Sequence, residues 1–299
     1  MTKKKGKGNY KRATPEEAKR RLAVLRRMQK MPLKEKISIT REVIKAAFDA
    51  RAKGAVLYSG GKDSTIILDL VLQADPNTLV VHNNTTLGDP KLLDFIREHC
   101  RNMNYIETIT PNPEDMWKEK GYYPLLGKRN FTKYKKQDPT LRISPVQCCY
   151  QLKEKLANVV LKQNKVGVVF WGIRADESMR RRFLFVDNGF LFQPKKYKWM
   201  QCYPLQHWTE KDVFEYLEKY VPEYNLRREQ FETGCLCCGS DITFFPNNLT
   251  RLYQADQKKW EHYMRAGFAE QILKLQGRPS DPETIEKVLT EAPATLLKV

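Results

Sequence analysis

No stretch of about 18 consecutive apolar residues occurs in the sequence, so no transmembrane helix is expected. The basic N-terminus has no apolar region behind it, so a secretory signal is not expected either. Both absences lead to the expectation of a cytoplasmic protein with no membrane partner. Acidic residues are in deficit, with 35 Asp and Glu against 53 Lys and Arg, a net charge of +18. That excess suits a polyanion such as DNA or RNA, because clustered cations gain affinity by releasing counterions. Internal repeats are lacking, and the tail from Thr290 to Val299 holds neither Cys nor His. Seven cysteines in a cytosolic chain are not expected to form structural disulfides.

What is present centres on Ser59-Gly60-Gly61-Lys62-Asp63-Ser64. Ala55 to Tyr58 ahead of it reads as a buried strand, and Thr65 to Leu72 behind it as a helix. Strand, glycine turn and helix start expose backbone N–H groups to an anion, assisted by the helix dipole. Gly60 and Gly61 permit close backbone approach, Lys62 adds a mobile charge, and Ser59 and Ser64 add hydroxyls. The glycine-to-lysine spacing is too short for a Walker A loop. The bland alternative is a turn that merely joins strand to helix.

Along the chain, Thr14 and Pro15 signal the start of a basic amphipathic helix to about Lys30, and a second helix runs from Lys34 to Ala52. The first helix reads equally as a solvated face or a nucleic-acid contact. Thr78 to His82, Tyr105 to Ile109 and Val166 to Trp171 read as further strands, with helices between them. That alternation predicts an α/β fold, a doubly wound parallel sheet with N-terminal and C-terminal helical additions. The boundaries expected are 1–53 for the basic arm and helical extension, 54–233 for the nucleotide-binding domain, and 234–299 for the cysteine motif and helices. Gly127 to Lys136 mixes cations and aromatics, suited to phosphates and stacked bases or to a solvated loop. Gly189 to Tyr203 reads as a hairpin or extended edge, Thr209 as a helix N-cap with Asp212 at N3, and Asn248 to Leu275 as one helix before Asp281 to Leu289.

Two further groups carry chemistry. Gly172-Ile173-Arg174-Ala175-Asp176-Glu177-Ser178 follows a strand, where Arg174 can pair with phosphate and Asp176 and Glu177 can hold Mg²⁺. A salt-bridged surface turn is the alternative. Cysteines gather at Cys148-Cys149 and at Cys235, Cys237 and Cys238, a distribution that asks for a metal. Cys100 and Cys202 read as buried thiols, and His82 and His99 as structural or solvated.

The six-residue loop resembles the PP-loop of ATP pyrophosphatases. Taken in order, SGGKDS, Cys148-Cys149, GIRADES with Arg180 to Arg182, PLQHWTEKDVFEYL and GCLCCG resemble the phosphoadenosine phosphosulfate reductase family over about residues 54 to 240. Assimilatory reductases of that family attack activated sulfate with a C-terminal cysteine, whereas the last cysteine here is Cys238. The pattern is most similar to the ATP pyrophosphatase component of DNA phosphorothioation systems, which joins an SGGKDS loop to an iron–sulfur cluster. The resemblance implies a 4Fe–4S cluster on Cys148, Cys149, Cys235 and Cys238, with zinc as the alternative for the same four ligands. Cys237 departs from the pattern, either replacing a neighbour as ligand or staying free for sulfur relay.

The expected function is therefore an ATP-dependent sulfur transferase acting on a nucleic acid, DNA more than tRNA. Ser59, Gly60, Gly61, Lys62, Asp63, Ser64, Gly172, Arg174, Asp176 and Glu177 would bind ATP with Mg²⁺. Lys62 would stabilise phosphate charge, Asp63 would orient the loop or metal, and Arg174 would hold phosphate. A donor such as a cysteine desulfurase would supply the sulfur. The alternatives are a reductase of adenylyl sulfate or phosphoadenylyl sulfate that uses an external thiol, and a non-catalytic nucleic-acid-binding subunit.

Overall fold

The computed structural model describes residues 13–110, 112–115, 148–231, 233–236, 247–275 and 277–290. The basic arm from Thr2 to Arg12, the Gly127 to Lys136 stretch, Cys237 and Cys238 lie outside them.

Six strands of the described residues form one sheet: β1 (Gly54–Leu57), β2 (Leu79–Asn84), β3 (Tyr105–Ile109), β4 (Val168–Phe170), β5 (Leu191–Phe192) and β6 (Met200–Cys202). Their order is β3-β2-β1-β4-β6-β5. β1 is parallel to both β2 (Ala55 opposite Leu79) and β4 (Ala55 opposite Val169), β4 is parallel to β6, and β5 is antiparallel to β6. The expected hairpin is therefore the β5–β6 pair. Central parallel strands are covered on both faces, which is why they read as continuous apolar runs. Val56, Val80, Val81, Val168, Val169 and Phe170 are all fully buried.

The chain moves outward from β1 in one direction through β2 and β3, and in the other through β4. That reversal makes a topological switch point, where the loops after β1 and β4 emerge side by side. Those loops are the two phosphate-type motifs of the sequence.

The helices follow local signals. α1 (Pro15–Gln29) starts on a capping box in which Thr14 and Glu17 each take the other's backbone N–H. α2 (Leu33–Ala50) and α3 (Lys62–Ala74) follow, then α4 (Pro90–His99). A π-helical turn, Tyr150–Glu154, leads directly from the paired cysteines into α5 (Lys155–Gln163). α6 (Met179–Asn188) is capped by Ser178, and α7 (Glu210–Tyr220) by a Thr209–Asp212 capping box. The C-terminal helix expected over Asn248 to Leu275 is instead broken. Asp256 caps a new helix at Gln257–Tyr263, and Gly267 interrupts the next turn at φ 120°. Among the described residues, no helix is long and apolar enough to cross a membrane.

The chain divides into two compact units. The first comprises Met1–His82, Ile96–Glu107 and Val159–Gln230; Ala55, Leu79, Val81, Leu161, Val169 and Trp199 belong to its core. The second comprises Asn83–Phe95, Thr108–Asn158 and Phe231–Val299, and is built around Leu152, Leu252, Trp260, Met264 and Phe268.

Candidate active site

The loop after β1 is held by its own hydroxyls. Ser59 and Ser64 Oγ are 3.0 Å apart, and Ser64 Oγ donates to the Gly61 carbonyl at 2.9 Å. Thr65 Oγ1 donates to the same carbonyl at 3.0 Å. Gly60 sits at φ 72°, in the left-handed region that favours glycine. Gly61 is the N-cap of α3 and supplies no side-chain cap, so the first N–H groups of the helix remain for an anion.

The loop after β4 packs directly on that helix start. A Cβ at Gly172 would stand 2.6 Å from the Asp63 carbonyl carbon and oxygen and 2.7 Å from the Ser64 nitrogen. Only glycine allows this approach. Arg174 is thereby brought to the loop, 3% exposed, with Nε 2.9 Å from Asp63 Oδ1 and 3.4 Å from Asp176 Oδ1. These are charge contacts without hydrogen-bond alignment; Arg174 Nε and Nη1 are buried with no hydrogen-bond partner among the described residues. An unspent guanidinium donor in this position suits an anionic ligand.

Burial is the largest influence on Asp63 and pushes its carboxyl up to about 6, with Arg174 pulling the other way. The same two causes raise Asp176 more mildly. Every cation of the site faces a carboxylate. Lys62 Nζ lies 3.4 Å from Glu210 Oε1 and 4.0 Å from Asp63 Oδ2, while Arg181 pairs with Glu177. The Glu210 backbone N–H also donates to Asp176 Oδ2 at 3.0 Å. Glu210, exposed and read from sequence only as part of a helix start, is the site residue that sequence reasoning missed.

The Pro204 to Trp208 motif supports this arrangement from behind. The Ala175 N–H donates to the Gln206 carbonyl, and Trp208 Nε1 donates to Thr40 Oγ1 at 2.9 Å. His207 is fully buried beside the Lys36 carbonyl, and burial pushes it down to about 4, so its imidazole is neutral. Lys36, itself buried, is paired with Asp212 at 2.6 Å. His82 Nδ1 lies 2.9 Å from the Tyr58 carbonyl and the His99 ring packs near Tyr58, which gives both histidines structural surroundings.

Within the second unit, Cys235 is buried with its Sγ 3.3 Å from Thr85 Oγ1, and Cys148 packs against the apolar cluster that contains Cys235. Cys149 is exposed. Among the described residues, no three His, Cys, Asp or Glu side chains are gathered for a metal ion. The expected fourth ligand, Cys238, lies outside the described residues, as does Cys237. Cys100 and Cys202 are buried thiols, and burial pushes the Cys100 thiol up to about 12.

A mostly parallel sheet with a glycine loop at its switch point defines an open α/β fold of the kind that places ligands beyond its strand ends. The phosphoadenosine phosphosulfate reductase domain matches residues 53–241, and the chain belongs to that family. It is 29% identical over 197 residues to an adenosine 5'-phosphosulfate reductase of Staphylococcus haemolyticus, covering 63% of this chain and 72% of that protein. An adenosine 5'-phosphosulfate reductase of Geobacillus kaustophilus is 27% identical over 208 residues, covering 68% and 79%. A phosphoadenosine 5'-phosphosulfate reductase of Aliivibrio salmonicida is 26% identical over 207 residues, covering 66% and 72%. The solved phosphoadenylyl-sulfate reductase of Candida auris, a phosphate complex, superposes with a TM-score of 0.47 at 14% identity, over 76% of this chain and 97% of that one.

These relatives correct the expected function. A nucleic-acid sulfur transferase of the DNA phosphorothioation type was the expectation, and the similar proteins are named for sulfate reduction instead. The physical reason is that a helix N-terminus with a glycine turn and a lysine accepts any phosphate-like oxyanion. SGGKDS therefore reports an anion site and not the bond that breaks there.

Proposed function

We propose that the chain reduces adenosine 5'-phosphosulfate, or its phosphorylated counterpart phosphoadenosine 5'-phosphosulfate, with thiols supplied by a separate donor. The observation that supports it most is that its relatives over this region, which carries both loops, are named as these reductases. The phosphosulfate would lie on the N–H groups at the start of α3, with Lys62 and the unspent Nη1 donor of Arg174 meeting its oxygens. A donor thiolate attacks the sulfur, the sulfur–oxygen bond to the phosphate breaks, and the nucleotide leaves. A second thiolate then attacks the donor sulfur, forming a disulfide and releasing sulfite; the two thiols supply the two electrons. Withdrawal of charge onto the nucleotide phosphate is the step the loop stabilises.

Cys148, Cys149, Cys235 and Cys238 would supply four thiolates to a 4Fe–4S cluster, or to zinc, although the three described ones are not gathered as a metal site. Iron, zinc and acid-labile sulfide assays on anaerobically purified protein separate those two.

The test is sulfite release from each nucleotide with a reduced thioredoxin or dithiothreitol. Sulfite and free nucleotide in equal amounts support the reading. No sulfite from either nucleotide with either reductant sinks it.

A further inference from the structure

Helix α1 carries a concentration of charge that the active site does not use. Lys19, Arg20, Arg26 and Arg27, together with Lys30 at the C-cap, are all exposed. At 3.6 residues per turn they fall within about 120° of the helix circumference, along a ridge of about 17 Å. Glu16 alone interrupts that face, at its N-terminal end. The opposite face is committed to the protein. Leu25 is 1% exposed and belongs to a cluster with Ala175 and Phe185, and Arg21 Nη1 donates inward to the Val186 carbonyl at 2.7 Å.

None of the five ridge cations makes an ion pair with a described residue. Two cations of the second unit, by contrast, are matched: Arg265 by Glu261 and Glu286, and Lys274 by Glu270. Like charges four residues apart, as at Arg26 and Lys30, repel one another along the ridge. Its apolar content also discriminates between polyanions. Val24, half exposed, is the only large apolar side chain of α1 that is more than partly exposed, so there is no broad apolar face to enter a lipid surface. A row of phosphates, by contrast, needs only cations in line. The preceding residues Thr2 to Arg12 add Lys and Arg and no acid to the same end of the sequence.

We infer that the exposed face of α1 docks the phosphate backbone of a nucleic acid, without reading its bases. The nucleic acid is a docking partner here and not a substrate of the chemistry at the ends of β1 and β4, so the inference stands apart from the proposed reductase activity. Phosphate contacts of this kind position a protein without conveying sequence information.

The experiment is fluorescence anisotropy of the full chain with a labelled 20-base-pair DNA duplex, at several salt concentrations between 50 and 200 mM. A variant combining Arg20→Gln, Arg26→Gln, Arg27→Gln and Lys30→Gln should flatten the slope of log K against log salt by about three to four, and weaken binding at least tenfold. All four side chains are exposed, so the variant retains the wild-type melting transition. A control combining Arg265→Gln and Lys274→Gln should leave the slope unchanged. An unchanged slope in the α1 variant, an equal loss in the control, or no binding by the wild type at 50 mM salt overturns the inference. Tighter binding to phosphatidylserine vesicles than to the duplex overturns it as well.

Discussion

Arg174 Nε lies 2.9 Å from Asp63 Oδ1, so the residue after the loop lysine and the arginine beyond β4 form one buried charge pair. The pair is formed across the neighbouring C-terminal ends of two parallel strands. It ties the first turn of α3 to the Arg174 loop.

Asp63 should make stability depend on pH. Its carboxyl is pushed up to about 6 in the fold, above the ordinary unfolded value of about 3.9. A raised carboxyl favours the folded state fully below that unfolded value, and the contribution is lost as pH rises through the folded one. Asp63→Asn, which cannot ionise, should therefore gain on the wild type by on the order of 2 kcal/mol between pH 4 and 7.5. Urea unfolding across that range reads the difference. A constant difference would mean that Asp63 titrates normally.

Gly172→Ala should disturb the site through the backbone. The added methyl meets the Asp63 carbonyl and Ser64 nitrogen inside 3 Å, and neither is the end of a flexible side chain. Overpacking of this kind costs about 1–3 kcal/mol. Thermal unfolding should show the loss, and calorimetric titration with adenosine 5'-phosphosulfate should show weaker binding. Unchanged melting would mean that the two loops separate easily.

Lys36→Met should be among the more damaging single changes in the first unit. Lys36 and Asp212 are 2% and 9% exposed, and removing one partner of a buried pair costs about 3–5 kcal/mol. Asp212 also holds the Thr209 N–H at 2.6 Å, so the loss should loosen the start of α7 as well. Denaturant unfolding measures the cost, and hydrogen exchange at residues 210–213 locates it.

Glu210→Gln should tighten anion binding. Glu210 holds Lys62 at 3.4 Å, and both side chains are partly solvated, so the contact is worth about 0.2–1 kcal/mol. Affinity for adenosine 5'-phosphosulfate should rise about two- to fivefold at low salt, and the gain should shrink at high salt. Equal affinities at low salt would show that Lys62 leaves Glu210 at no cost.

The strands, the glycine loop and most helix starts were legible because their causes are local. Thr14 with Glu17, and Thr209 with Asp212, cap helices through contacts three residues apart. The C-terminal helices were less legible. The break at Asp256 depends on one side chain accepting the Lys259 N–H, which a pattern of apolar spacing does not show. The choice between a phosphate and a phosphosulfate ligand was illegible for a different reason, since both would present similar oxygens to the same N–H groups.

By itself, then, the sequence determined the alternation of strands and helices, the anion loop and the order of its motifs. All of these follow from hydrophobic period, backbone propensity and short-range capping. Tertiary structure alone decided that Gly172 must be glycine, that Arg174 faces Asp63, and that Lys36 meets Asp212 from 176 residues away. Those contacts arise from which strands lie side by side in the sheet and which helices pack against one another. Strand order is set by packing of the whole chain, which no window of sequence contains.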